Sequence, residues 1–425
     1  MSAEPLHDAP SPPDAPSSLD PPSPGDSPEP AGRQALREPI PLARPSLGER
    51  EEELVLEVLR SRRLSLGPKL GEFETAFARW LGSEHVAAVS SGTAGLHLAL
   101  RSAGIEAGDE VITTPFSFVA SANSVIYEDA RPLFCDVDPR TFNLDPQAAA
   151  AGVGTQTAGI LPVHIFGYPA DMPALEQLAS RRGLWLVEDA CEALGAVHGD
   201  GRAVGTRGNA AVFAFYANKQ LVTGEGGMVV CPSMAIKQRI DSERNQGRAP
   251  DMDWLDHDRL GYNYRLSDLA CALGLAQLER LDQLLAERAR VAGLYTQALE
   301  AIEGLDLPCA DADGDRRSWF VYVVQLPAEL DRDATIEALR ARGIDAKPYL
   351  PAIHLMSYYR ERFGHRPGEF PVCEEIARRS LALPFFAGLT DEQVEHVSAT
   401  VRSLCARPSS STSLRASEAS AAQRS

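Results

Sequence analysis

The sequence predicts an α/β fold: a large domain with a mostly parallel central sheet between helices, followed by a smaller C-terminal α+β domain. Three observations carry that expectation. Between residues 85 and 230, seven short apolar runs (HVAAVSS, DEVITTPFS, RPLFCDV, GILPVHIF, GLWLVEDA, NAAVFAFY and GGMVVC) alternate with helical or Gly/Pro-punctuated segments, the pattern of a parallel sheet covered on both faces. Residues 266–302 then keep a helical period, with room for one break. Beyond them SWFVYVVQL reads as a strand and DRDATIEALRARG as a helix of a second unit.

Taken in order, residues 1–37 are rich in Pro, Ser and Asp and almost free of large apolar side chains, so they cannot offset the entropy of ordering and are expected as a disordered tail. Residues 407–425 read the same way. The folded chain opens with PIPLARPSLGEREEELVLEVLRS, a loop and a helix whose stripe is Leu54, Val55, Val58 and Leu59, with the glutamates of EEELVLE as a solvated face. The large domain is expected over 38–285 and the small one over 286–406.

Composition narrows the function. A net charge of -18 argues against nucleic-acid or anionic-membrane partners, which demand basic surface. No apolar run is long enough to span a bilayer and no basic-then-apolar leader opens the chain, so a cytoplasmic location is expected. The seven cysteines stand singly, without metal-like spacing, which predicts reduced thiols and no metal site.

Only four lysines, Lys69, Lys219, Lys237 and Lys347, stand among 41 basic residues. Arginine can hold a charge but cannot lose its proton near neutral pH, whereas a desolvated lysine can become an amine nucleophile. Lys219 follows the apolar run AAVFAFY and precedes the glycine turn TGEGG. Two further features fall at strand ends. In SSGTAGLHLAL a strand enters a Gly-Thr turn and then a helix whose N-terminus offers free N–H groups to an anion, with the Thr93 hydroxyl beside them. In LWLVEDACEALGA, Asp189 closes a strongly apolar strand. Ligands in open α/β sheets sit beyond such carboxyl ends. Pyridoxal 5'-phosphate needs all three parts: a lysine for its Schiff base, an acid to keep its ring nitrogen protonated, and an anion cup for its phosphate. A ring to stack on it is available as Phe116 or Phe118.

At these residues the chain resembles the DegT/StrS-type nucleotide-sugar aminotransferases, members of the fold-type-I, aspartate-aminotransferase-like superfamily. The motifs run in order from about 38 to 404: PLARPSLGERE, SGTAGLHLAL, TTPFSFVASAN, PVHIFGYPADM, VEDACEALGA, AFYANKQLVTGEGG, RNQGR, GYNYRLSDLACALGLAQL and ALPFFAGLT. The resemblance implies that Lys219 carries the cofactor, Asp189 meets its pyridine nitrogen and Phe118 stacks on its ring. It also implies that Gly92, Thr93 and Ala94 bind the phosphate, and that Asn263 reaches the phosphate of the neighbouring subunit's cofactor, hence a homodimer with shared sites. Two positions depart from the common pattern, Ala214 where many members have serine and Glu192 where many have glutamine. Glu192 would touch the cofactor's ring hydroxyl or the sugar, and the variants lean to the perosamine-synthase-like branch. His164 and His354 are weaker substrate candidates, as are Arg244, Arg248 and Arg265. The activity implied is amino transfer from L-glutamate to C4 of a nucleotide-linked 4-keto-6-deoxyhexose for surface polysaccharide biosynthesis. A 3-keto sugar and a regulator without turnover remain open alternatives; a dehydratase is disfavoured, because such relatives replace the lysine with histidine.

Overall fold

Seven of the apolar runs become the strands of one sheet. A computed structural model describes residues 38–249 and 256–406; the two tails expected to be disordered lie outside the described residues. The strands are β1 (Val86–Val89), β2 (Glu110–Thr113), β3 (Arg131–Phe134), β4 (Thr157–Leu161), β5 (Trp185–Asp189), β6 (Ala210–Ala214) and β7 (Gly227–Val230). They lie in the order β1-β7-β6-β5-β4-β2-β3. β7 pairs antiparallel with β1 and β6 while the remaining pairs are parallel, so six of the seven strands end at the same edge.

Alternation along the strands shows why they are apolar throughout. Ala87, Val89, Val187, Val212 and Val229 pack with the helix Gly92–Ser102. Their neighbours Val86, Ala88, Ala211, Phe213, Met228 and Val230 pack on the other face with Phe73 and Phe77 of the helix Pro68–Leu81. Both faces are therefore buried, as the period of two requires of a doubly covered sheet.

A second core surrounds the antiparallel pair β8 (Tyr322–Gln325) and β9 (Ser380–Leu383). β9 escapes a sequence reading, since its four residues follow the helix Pro371–Arg379 with no turn signal between them. The expected break in 266–302 falls at Arg280 (φ -124°, ψ 17°), between the helices Asp268–Glu279 and Leu281–Leu299. The second of these helices serves both cores: Leu281 packs under the large sheet, whereas Val291, Tyr295 and Leu299 join the cluster around β8 and β9. Among the described residues, no helix is long and apolar enough to cross a membrane.

The first helix, Glu49–Ser61, corrects two expectations. Leu54 and Val58 bury against Ala272 and Ala276, but Leu59 stays 48% exposed, so the stripe is narrower than four residues. Glu51 is not solvated. Its carboxylate is buried and accepts hydrogen bonds from the Gln277 amide (2.6 Å), Arg280 Nε (2.8 Å) and the Gly48 N–H (2.8 Å). The partners at 277 and 280 are supplied by tertiary structure, which a local helical pattern cannot register.

Candidate active site

Three of the strand ends form one side of the site. At the end of β1, Ser91 caps the helix Gly92–Ser102, and its hydroxyl accepts the Ala94 N–H at 3.1 Å. That bond engages the Ala94 N–H, while the Gly92 and Thr93 N–H groups stand at a helix start, where the first turn has no internal acceptors. Close approach explains two glycines. A Cβ on Gly92 would stand 2.7 Å from the Ala214 Cβ and 3.0 Å from the Cys191 sulfur, and one on Gly227 would stand 2.9 Å from the Ser91 carbonyl carbon. The turn after β1 is thus pressed against β6 and the segment after β5, with β7 passing beneath.

Asp189, buried at the end of β5, is held from both sides. Its Oδ2 accepts the Ser121 hydroxyl at 2.7 Å and its Oδ1 accepts the Cys191 N–H at 3.1 Å. Ser121 itself exchanges a 2.8 Å hydrogen bond with Ser117, so the carboxylate has a fixed orientation. Burial pushes the Cys191 thiol well above its usual range, and Asp189 adds to the shift; the thiol is a packing group.

Lys219 sits in the loop from β6 to β7, its N–H donating to the Tyr216 carbonyl at 2.9 Å. Its Nζ lies 3.9 Å from the centroid of the Phe320 ring and 3.7 Å from Glu192 Oε1, beyond hydrogen-bonding distance. Glu192 accepts the Phe166 N–H at 3.0 Å. Burial pushes its carboxyl above the usual glutamate range, partly offset by the Lys219 charge. The next residue, Gln220, ties the loop down by donating to the Glu192 carbonyl at 2.6 Å and to the Ser318 hydroxyl at 3.2 Å. The amine therefore stands between a ring face and a reluctant carboxylate, with its side chain 13% exposed.

Phe118 is 63% exposed, whereas Phe116 is sealed in the core against Phe142 and Phe166, so of the two only Phe118 can receive a ring. Asn263 is exposed, in a segment where the Tyr264 carbonyl accepts the Ser90 N–H (2.7 Å) beside the helix start. Arg265 Nη1 donates to Asn245 at 3.0 Å.

Three of the weaker substrate candidates have partners inside the fold. His164 is fully buried with both ring nitrogens engaged, Nε2 on Glu188 at 3.1 Å and Nδ1 accepting the Ala170 N–H at 2.9 Å. His354 is fully buried too, paired with Glu374 at 3.0 Å and packed on Phe370 and His365. Arg244 is buried between Glu74 and Asp241, with a further bond to the Ala88 carbonyl. A strand-end or loop position suggests a ligand, but each of these side chains finds its partner inside. Sequence reasoning also missed Ser121, Phe320 and Ser318. Ser121 lies within TTPFSFVASAN, three residues past Phe118, and its helical neighbourhood was the available signal.

Known proteins can be set beside this geometry. Residues 45–402 match the DegT/DnrJ/EryC1/StrS aminotransferase family. The spore coat polysaccharide biosynthesis protein SpsC of Bacillus subtilis is 37% identical over 86% of this chain and 97% of its own length. GDP-perosamine synthase of Caulobacter vibrioides is 38% identical over 85% of this chain and 97% of its own. Among solved structures, the aminotransferase TlmJ from Streptoalloteichus hindustanus is 36% identical, with a TM-score of 0.81 over 86% of this chain and 98% of that one.

Proposed function

Since this chain belongs to the DegT/DnrJ/EryC1/StrS aminotransferase family of pyridoxal 5'-phosphate-dependent transaminases, we propose that it moves an amino group from L-glutamate to C4 of a nucleotide-linked 4-keto-6-deoxyhexose. One observation carries the reading: the Lys219 amine, the Asp189 carboxylate and the Gly92–Thr93 N–H groups stand at the carboxyl ends of β6, β5 and β1 in a single sheet. The sugar and the amination site rest on likeness to GDP-perosamine synthase, and the polysaccharide setting on likeness to SpsC.

The residues fit the cofactor. The close-packed turn at Gly92 leaves two N–H groups for a phosphate, the exposed Phe118 ring offers a stacking face, and the buried Asp189 has lone pairs left for a ring N–H. When bound, pyridoxal 5'-phosphate supplies an electron sink that makes the α-proton of an amino acid removable. Lys219 Nζ would hold the cofactor and would be the amine placed to carry that proton. Asp189, fixed by Ser121, retains the proton on the ring nitrogen. Glu192, 3.7 Å from the Lys219 amine, would contact the cofactor's ring hydroxyl or the incoming sugar. Arg265 and the exposed Asn263 serve a site shared across a cytoplasmic homodimer, with residues 38–285 as the cofactor-binding domain and 286–406 as the smaller one.

The test is an absorption spectrum of the purified chain with pyridoxal 5'-phosphate, before and after L-glutamate, beside Lys219→Ala. A visible band that shifts to the near ultraviolet with glutamate, and is lost in the variant, is expected. A wild-type chain that forms no band, or a variant that matches it, sinks the assignment. Turnover of 4-keto against 3-keto nucleotide sugars then decides the carbon.

A further inference from the structure

Arg288, on the helix Leu281–Leu299, is buried, yet no carboxylate lies within ion-pairing distance of it among the described residues. Its guanidinium spends its donors on main-chain carbonyls instead: Phe320 at 3.0 Å from Nη1, and Asn218 at 3.3 Å and Lys219 at 3.1 Å from Nη2. Burial lowers its pKa to about 10, which still leaves it charged at neutral pH. A buried cation without a carboxylate is costly, and this one has the Phe385 ring 5.7 Å from its Cζ and main-chain carbonyls as its partners.

Its three acceptors are not arbitrary. Two belong to the loop that carries Lys219, and the third belongs to the residue whose ring lies under the Lys219 amine. We propose that Arg288 is a positioning residue that clamps the Lys219 loop to Phe320, so that the amine is held against one ring face in a fixed direction. The inference rests on the aminotransferase reading of Lys219. The planar fork matters more than the charge, because the two segments draw on two nitrogens, Nη1 for Phe320 and Nη2 for Asn218 and Lys219, a spread that an ammonium on a flexible stem cannot supply. Since the same helix reaches the core around β8 and β9 through Val291, Tyr295 and Leu299, the clamp also links that core to the lysine.

The experiment compares wild type, Arg288→Lys, Arg288→Met and Phe320→Leu as full-length chains. It reads visible circular dichroism per bound pyridoxal 5'-phosphate, the rate at which the visible band appears on adding cofactor, and kcat against KM. Visible dichroism reports how rigidly the lysine orients its chromophore, which loss of stability alone does not change in the folded, loaded fraction. Both Arg288 variants are expected to lose at least half of that signal and to drop kcat by about 10²-fold with little change in KM, the scale of an ångström of misplacement. Phe320→Leu leaves the buried hydrogen bonds in place, and the same signature is expected from it, so the proposal stays testable if Arg288→Met does not fold. Wild-type dichroism and kcat in folded Arg288→Lys, or in Phe320→Leu, overturn the clamp while leaving the wild-type band, and hence the aminotransferase reading, intact. Absence of a band in the wild type overturns both.

Discussion

Glu188 and Asp189 are consecutive residues of β5, both buried carboxylates, and they do opposite things. Glu188 is saturated: it accepts N–H groups from Gly205 (2.9 Å), Arg207 (2.7 Å) and Gly208 (2.6 Å) and pairs with His164. Burial works against its charge, but the His164 bond and these N–H groups hold its carboxyl below the usual glutamate range. Asp189 points to the other side of the strand, where among the described residues it receives one hydroxyl and one N–H. Successive strand side chains face opposite ways, so one residue step separates a carboxylate that ties the fold together from one left with capacity for a ligand.

Substitutions at the two positions should separate stability from chemistry. The largest effect is expected from Glu188→Ala, which strands three buried N–H groups and His164. Losing one partner of such a buried network costs about 3–5 kcal/mol, read as a lower urea midpoint, while the folded fraction keeps its turnover. Asp189→Asn should do the reverse: a near-isosteric change with little shift in midpoint but a fall in kcat of about 10²–10³-fold, the usual cost of removing one electrostatic contact from a reacting centre. If Glu188→Ala proves inactive yet stable, or Asp189→Asn unstable yet active, the division of labour along β5 is wrong.

Much of the fold was legible because it follows local rules. All seven runs in the large domain became strands, and Arg280 breaks the long helix where room for a break was left. Lys219 and Asp189 stood out as candidates because a lysine is scarce in this chain and a carboxylate is costly at the end of an apolar strand, whereas Phe118 was singled out from Phe116 by the resemblance alone. What escaped depends on partners far away in sequence. His164, at a strand end, was open to a structural or a substrate reading, and only the fold reveals Glu188 beside it. Glu51 looked solvated until Gln277 and Arg280 closed over it. Arg288 was invisible for a related reason: its acceptors are main-chain carbonyls, which carry no residue identity.

Glu192 sharpens the comparison on the same turn, since its carboxyl is displaced in the opposite direction from that of Glu188. A carboxyl held below its unfolded value contributes stability above the unfolded pKa and loses it as pH falls through the folded one, which is the behaviour expected of Glu188. A carboxyl held above it contributes most when protonated and loses stability as pH rises through its folded value, which is the behaviour expected of Glu192. Glu192→Gln mimics the protonated form, because the glutamine oxygen can still accept the Phe166 N–H. Thermal midpoints of the cofactor-free wild type and variant should therefore coincide on the acidic side of the glutamate range and separate towards neutral pH, with the variant the more stable. This is the smallest of the three effects, because the Lys219 charge already offsets part of the cost of ionising Glu192. Parallel curves at all pH values would mean that the lysine compensates the buried carboxylate fully, and that the amine and acid at this site form a closed pair rather than one left open for a substrate.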